Sequence, residues 1–428
     1  MNIRFYNARI LTMEDYLSII EGEVWIKGNT IVHVGKIDFE KTKNIGMTDW
    51  HREIDVKGNL LMPGFKNAHT HSGMTFLRSY ADDLPLAEWL TKQIFPAEAK
   101  LSKNDIYEFT ILAITEYLTS GITANFDMYL EPNAITQAAV DVGFRTVQCG
   151  SLNDFSQSIE QMEEYYLKLN ECHELSSYIL GFHAEYTTSR KRLEQVASLA
   201  EKYRAPVFTH NSETKEEVEG CMERYQKTPT KLFEELGIYE YGGGGFHCVY
   251  LNDEDIEIFK KRKLSVVTNS GSNTKLASGI APIQKLINHH INVAIGTDGP
   301  ASNNCLDMFR EMFLTTGLAK IKEKDASVVD ANQVLYMATV GGAKAMGLKD
   351  CDVLKAGKKA DIIMIDLKQP NMQPLNNITK NIVYSGSKIN VKMTMVNGKI
   401  LYEDFKFNIG RNLDEIYEKV ELLKSRII

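Results

Sequence analysis

The chain has 428 residues, 43% of them hydrophobic, enough to bury a large core and to build more than one domain. Its formal net charge of −7 comes without a basic cluster, which argues against nucleic acid as a partner. No apolar run is long enough to cross a bilayer and Met1-Asn2-Ile3-Arg4-Phe5 leads straight into strand-like sequence, so the expectation is a cytoplasmic protein without membrane association.

The first sixty residues read as β-structure, with Ala8-Arg9-Ile10-Leu11-Thr12 and the Glu23–Ile31 stretch as antiparallel strands around a Gly28-Asn29 turn. Leu60-Leu61-Met62 reads as a buried strand running on to His69-Thr70-His71. From there strand-like runs alternate with amphipathic helical stretches, the pattern of a parallel sheet wrapped by helices. Eight strands are predicted to end near His71, Tyr129, Leu152, Tyr186, Glu213, Tyr250, Asn273 and Pro300, with helices over 104–119, 131–142, 187–203 and 306–322 among those between them. Thr228-Pro229 opens and Gly237 closes one further helix after the fifth strand. Lys359–Asp366 and Val391–Ile400 are again strand-like, and 411–428 has the pattern of an amphipathic helix. The predicted fold is α/β, a (β/α)8 TIM barrel over 61–350, with a small β-sandwich domain built from 1–60 and 351–410 and a terminal helix over 411–428.

The polar residues at the predicted strand ends carry the chemistry. Alternate strand residues point the same way, so His69 and His71 can converge on one ion while Thr70 faces away. Val207-Phe208-Thr209-His210, Gly245-Phe246-His247 and Ala294-Ile295-Gly296-Thr297-Asp298 each end in a side chain able to bind a metal, and Glu213 follows His210 by three residues. One such histidine is commonly a buried group bonded to a backbone carbonyl; four at strand ends point to a metal centre at the face where barrels place active sites. The cysteines at 149, 172, 221, 248, 305 and 351 show no Cys-x-x-Cys spacing, which leaves no basis for a zinc ribbon or disulfide framework.

Together, Pro63-Gly64 to His71, the 81–90 stretch, His210-x-x-Glu213, His247-Cys248, Ser272-Asn273-x-Lys275 to Pro282 and Gly296-Thr297-Asp298-Gly299-x-x-Ser302-Asn303-Asn304 resemble the amidohydrolase superfamily. The likeness is greatest to its 5'-methylthioadenosine/S-adenosylhomocysteine deaminase branch. The resemblance implies that His69, His71, His210 and Asp298 hold one divalent ion, Zn²⁺ with Fe²⁺ as the alternative. Binuclear relatives place a modified lysine at the fourth strand end, where this sequence offers His183. It further implies Glu213, Asp298 and His247 as catalytic groups of a hydrolytic deaminase, with Glu213 also binding the ring of a small-molecule substrate. Glu98, His183 and Trp89 are the implied substrate contacts, Glu98 on ribose hydroxyls. A homodimer or higher homo-oligomer is expected on the same ground.

Two departures bear on substrate. Relatives that take S-adenosylhomocysteine use arginines after the third strand, whereas here Cys149 stands at the first such position and 153–158 contain none. Thr268-Asn269-Ser270 replaces a His-Asn-Pro common in relatives and is expected to reshape the cavity wall. The leading expectation is deamination of adenosine or 5'-methylthioadenosine, ahead of S-adenosylhomocysteine. Its rivals are a deaminase of a free base (guanine, 8-oxoguanine or a pterin), a triazine-type aminohydrolase and, more distantly, a noncatalytic assembly protein on the same fold.

Overall fold

The structure is a computed structural model describing residues 1–14, 18–37, 43, 45 and 49–428. Two sheets organise it. The first combines β1 (Asn2–Leu11), β2 (Ile19–Lys27), β3 (Thr30–Gly35), β4 (Arg52–Asp55) and β5 (Leu60–Pro63). The second sheet is a run of eight parallel strands: β6 (Phe65–Thr70), β7 (Ile122–Asp127), β8 (Arg145–Cys149), β9 (Ser176–Gly181), β10 (Val207–Asn211), β11 (Gly243–His247), β12 (Ser265–Thr268) and β13 (Asn292–Ile295). The chain then returns to the first sheet with β14 (Ile362–Ile365), β15 (Val391–Val396), β16 (Lys399–Glu403) and β17 (Lys406–Phe407).

The parallel strands pair in sequence order from β6 to β13 and nearly close on themselves. The last seam is stitched by the Asp298 amide donating to the His69 carbonyl (3.0 Å) and the Thr297 amide donating to Asn67 Oδ1 (2.8 Å). Inside the barrel, Phe126, Phe208 and Phe246 pack with ring centroids 5.1–5.6 Å apart and form an apolar floor beneath the strand ends. Helices cover the outside; the predicted ones appear as Lys103–Thr119, Pro132–Val142, Arg190–Tyr203, Met308–Glu323 and, capped by the Thr228 hydroxyl, Pro229–Glu235.

The terminal segments form one continuous nine-stranded sheet whose inward residues, among them Phe5, Ile10, Val24, Ile362 and Met395, bury a common apolar core. Leu60-Leu61-Met62 belongs to this sheet, pairing with β1 and β14, and the barrel strand begins only at Phe65. The break is Gly64, where a Cβ would lie 2.1 Å from Thr123 Cγ2. Where the two sheets meet, Asp361 takes two hydrogen bonds from the buried Arg145 guanidinium (2.8 and 3.0 Å) and one from the Asn397 amide (2.7 Å). The terminal helix spans Leu413–Ile427. No helix among the described residues is long and apolar enough to cross a membrane.

Candidate active site

The strands end one to five residues before the predicted positions, because the polar residues that follow them are short connections rather than strand. Several adopt left-handed backbone without being glycine: Ser212 (φ 52°), His247 (66°), Cys248 (52°) and Asp298 (58°). Such conformations are costly and concentrate where side-chain direction matters.

His69, His210, His247 and Asp298 bring one ligand atom each to within 4.8 Å of one another, all buried. His71 lies beside this group, with Nε2 3.1 Å from Asp298 Oδ1. His69 sits deepest, stacked on Phe246 with ring centroids 3.8 Å apart. Each of the other imidazoles is oriented through Nδ1. His210 Nδ1 donates to the His183 carbonyl (2.7 Å), His247 Nδ1 to Asn273 Oδ1 (2.7 Å) and His71 Nδ1 to the Met128 carbonyl. A donor at Nδ1 leaves the Nε2 lone pair for the centre. His69 and His210 accordingly face each other through Nε2 at 3.2 Å, and His69 Nδ1 has no partner among the described residues.

Asp298 is the electrostatic anchor. Ser272 Oγ and Ser302 Oγ donate to its Oδ2 (2.6 and 2.8 Å), and the Gly299 amide donates to Oδ1 (2.8 Å). Burial alone would raise its pKa, but the hydrogen bond and charge of His71, with His247 and His69, hold it well below the ordinary carboxylate range. Burial disfavours imidazolium at His69 and His210, lowering both well below the usual value. Burial also opposes the charged form of His71, yet Asp298 wins and raises it. Converging lone pairs beside an ionised carboxylate, in a pocket that disfavours protonated imidazole, fit a divalent cation, and three histidines with one carboxylate are a donor set that Zn²⁺ accepts.

His71, Trp89, Glu98, His183, His210, Glu213, His247 and Asp298 line one cavity, with His69 beneath it. Glu213 is 6% exposed and its Oε1 lies 3.7 Å from His247 Nδ1. Among the described residues none donates a hydrogen bond to its carboxylate, and burial raises its pKa. In the same lining the Glu98 carboxyl is buried, and burial pushes it up to about 7, the hydrogen bond of the neighbouring Tyr129 hydroxyl drawing it back only in part. Trp89 begins a π-helical turn, Trp89–Ile94, that carries the lining from Leu86 to Phe95 over the strand ends. His183, lowered to about 4 by burial, has Nδ1 2.9 Å from the Thr187 hydroxyl.

Both departures read from the sequence act differently from expectation. Cys149 is the last residue of β8, fully buried in the barrel interior where its Sγ packs against Gly181, so it does not line the cavity. The following connection does, through Ser151, Asn153 and Ser156. Thr268, Asn269 and Ser270 are buried behind the wall and do not line it either, because β12 ends at Thr268 and a short helix, Ser270–Lys275, turns Ser272 and Asn273 inward instead.

Sequence reasoning gave no role to the groups that hold the site. Glu217 accepts the Ser212 and Glu213 amides (3.1 and 2.7 Å) and so fixes the turn that aims Glu213. Lys275 Nζ donates to Asp82 Oδ1 (2.5 Å) and to the Ala301 carbonyl (3.1 Å), tying the segment before Trp89 to the connections after β12 and β13. Asp82 and Lys275 both lie in the stretches that carry the family resemblance, which was the available signal.

A parallel barrel that buries three imidazoles and a carboxylate together at its C-terminal strand ends defines a metal-binding (β/α)8 hydrolase architecture. Residues 60–401 match the model of the amidohydrolase family, and the chain belongs to that family. It is 37% identical over 439 residues to a 5-methylthioadenosine/S-adenosylhomocysteine deaminase of Caldanaerobacter subterraneus subsp. tengcongensis, covering 100% of this chain and 99% of that protein. It is 38% identical to a 5'-deoxyadenosine deaminase of Methanosarcina acetivorans, covering 94% and 92%. Among solved structures, an adenosine deaminase from Xanthomonas campestris with bound zinc superposes with a TM-score of 0.92 at 30% identity, covering 100% of this chain and 98% of that one.

Proposed function

We propose that the protein is a metal-dependent hydrolytic deaminase of a purine nucleoside, with adenosine and 5'-methylthioadenosine ahead of S-adenosylhomocysteine, yielding ammonia and the inosine analogue. The observation that carries this reading is the contrast between two buried carboxylates facing one cavity. Asp298 accepts three hydrogen bonds and is held ionised by His71, with His247 and His69, against its burial, while Glu213 accepts no hydrogen bond from a described residue and has a raised affinity for a proton. Environments that push two carboxylates apart assign base and acid.

In this reading His69, His71, His210 and Asp298 hold one divalent ion, Zn²⁺ by preference. When bound, the ion supplies a water that is nucleophilic near neutral pH. Glu213 delivers a proton to the ring nitrogen next to the amine-bearing carbon, making that carbon electrophilic. Asp298 accepts the proton of the attacking water, and His247, held by Asn273 through Nδ1, turns its Nε2 lone pair to accept a hydrogen bond from that water. The carbon–oxygen bond forms, the carbon–nitrogen bond breaks, the amine leaves as ammonia with the proton from Asp298, and the remaining hydroxyl proton returns to Glu213 as the carbonyl forms.

Glu98 lines the same cavity, where a carboxylate can accept from two vicinal ribose hydroxyls. Beyond it the lining is neutral: Leu130, Ser151, Asn153 and Ser156. The nearest arginines on that side are engaged, Arg192 with Asp154 (3.2 Å) and the Gln157 carbonyl (2.9 Å), and Arg190 with Glu194 (3.0 Å). This favours a methylthio or hydroxyl 5' group over an amino-acid carboxylate. Ammonia release from adenosine, 5'-methylthioadenosine, S-adenosylhomocysteine and guanine tests the reading. The two smaller nucleosides should lead; guanine as the best substrate would refute the nucleoside assignment, and S-adenosylhomocysteine as the best would refute the neutral 5' subsite.

A further inference from the structure

A second concavity, of about 590 Å³, adjoins the reacting end of the active-site cavity. The two share Leu86, Leu90, Tyr186, Glu213 and Leu276, whereas Asp298, His247 and Glu98 line only the first. The annexe therefore opens beside Glu213 on a wall that neither the metal-ligand cluster nor Glu98 lines.

That position has a chemical meaning which rests on the nucleoside-deaminase reading. The ring nitrogen protonated by Glu213 has two carbon neighbours. One is the carbon under attack, which must face Asp298 and His247. The other, C2 of a 6-aminopurine, points the opposite way, to the wall where Glu213 meets Tyr186. A hydrogen at C2 leaves the annexe empty; a larger group there would enter it between the leucines of the doorway. Within the annexe, Ser278 is 5% exposed and its hydroxyl has no hydrogen-bond partner among the described residues, which leaves it an unused donor. Arg224, on the same wall, is already bound to the buried Glu185.

We propose that the annexe is a subsite for a C2 substituent and that 2-substituted 6-aminopurine nucleosides are substrates of this enzyme. The bonds made and broken are those of the parent reaction: water oxygen joins C6, the C6 amine leaves as ammonia, and the C2 group is retained. Ser278 donates to a heteroatom on that group.

The test compares ammonia release from adenosine, 2-chloroadenosine and 2-(phenylamino)adenosine. All three should be turned over with kcat/KM within about tenfold of one another, since a formed subsite neither clashes with the added group nor must open for it. Ala277→Phe, at the exposed rim of the annexe, keeps the backbone conformation that alanine already adopts there and should overfill the subsite. It should lower kcat/KM for the phenylamino substrate by about a hundredfold while leaving adenosine within about twofold. The inference is overturned, with the nucleoside reading intact, if adenosine is deaminated and the 2-phenylamino analogue is neither deaminated nor competitive, or if Ala277→Phe lowers both substrates equally. Absence of turnover with every nucleoside overturns the reading and the inference together.

Discussion

Glu98 should impose a pH dependence that can be separated from every titration at the ligand cluster. Its side chain is buried, and burial pushes the carboxyl up to about 7 despite the neighbouring Tyr129 hydroxyl. If the carboxylate holds the vicinal ribose hydroxyls, productive binding needs the ionised form. A group of pKa about 7 is roughly 90% ionised at pH 8 and roughly 10% at pH 6, so its contribution to kcat/KM should fall about tenfold across that window. The cluster and Glu213 also titrate, so the quantity to measure is the ratio of kcat/KM for adenosine to that for 2',3'-dideoxyadenosine, which undergoes the same chemistry without the hydroxyls. In the wild type this ratio should fall about tenfold from pH 8 to pH 6; in Glu98→Gln it should be low and flat, because an amide does not titrate. A flat wild-type ratio, or one that breaks in the ordinary carboxylate range, would refute the argument that a buried Glu98 holds the sugar.

The purified protein should carry about one divalent ion per chain, and His69→Ala or His210→Ala should lose metal and activity together; two tightly held ions on elemental analysis would refute the single-ion site. Glu213→Gln should keep its metal but lose turnover by about 10²–10⁴-fold, and near-normal deamination by this variant would remove Glu213 from the proton transfer. Asp361→Asn should destabilise the fold by about 3–5 kcal/mol, read by urea unfolding, because it leaves the buried Arg145 charge without its counter-ion. Burial would raise the Asp361 pKa, but Arg145 outweighs it and lowers the value below that of an unfolded aspartate. The stabilisation is therefore present above the unfolded pKa and lost as pH falls through the native one, and the variant should lack this acid-side loss.

The barrel, the terminal sheet and the polar residues gathered at the strand ends were legible because each leaves a local trace. Apolar runs of four to six residues mark the strands, and a polar residue capable of binding metal follows several of them. What the sequence did not show depends on contacts between segments far apart. His71, His210 and His247 are aimed by the Met128 carbonyl, the His183 carbonyl and Asn273, at separations of 57, 27 and 26 residues. Backbone carbonyls have no sequence signature, so two of those three could not have been named in advance. Cys149 shows the complementary failure. The alternation that aims a strand's side chains inward or outward is read correctly only when the strand end is known, and an error of one residue exchanges barrel interior for cavity wall.

The left-handed residues explain why the ends were hard to place. Ser212, His247 and Asp298 each leave their strand through a conformation that a non-glycine side chain disfavours, at about 1–3 kcal/mol apiece. Each is held there by contacts made elsewhere in the molecule. Glu217 fixes Ser212 through the two amides of its turn, Asn273 holds the imidazole of His247, and Ser272, Ser302 and the Gly299 amide hold Asp298. Ser272 and Asn273 both sit on the short helix after β12, so one turn of chain orients the imidazole that hydrogen-bonds the attacking water and the carboxylate that takes its proton. The same helix carries Lys275, whose bond to Asp82 anchors the segment that covers the cavity. Placement of the covering segment and alignment of the catalytic pair thus both depend on a single element, which accounts for the concentration of resembling residues between 272 and 282 although the short helix itself supplies none of the proposed metal ligands.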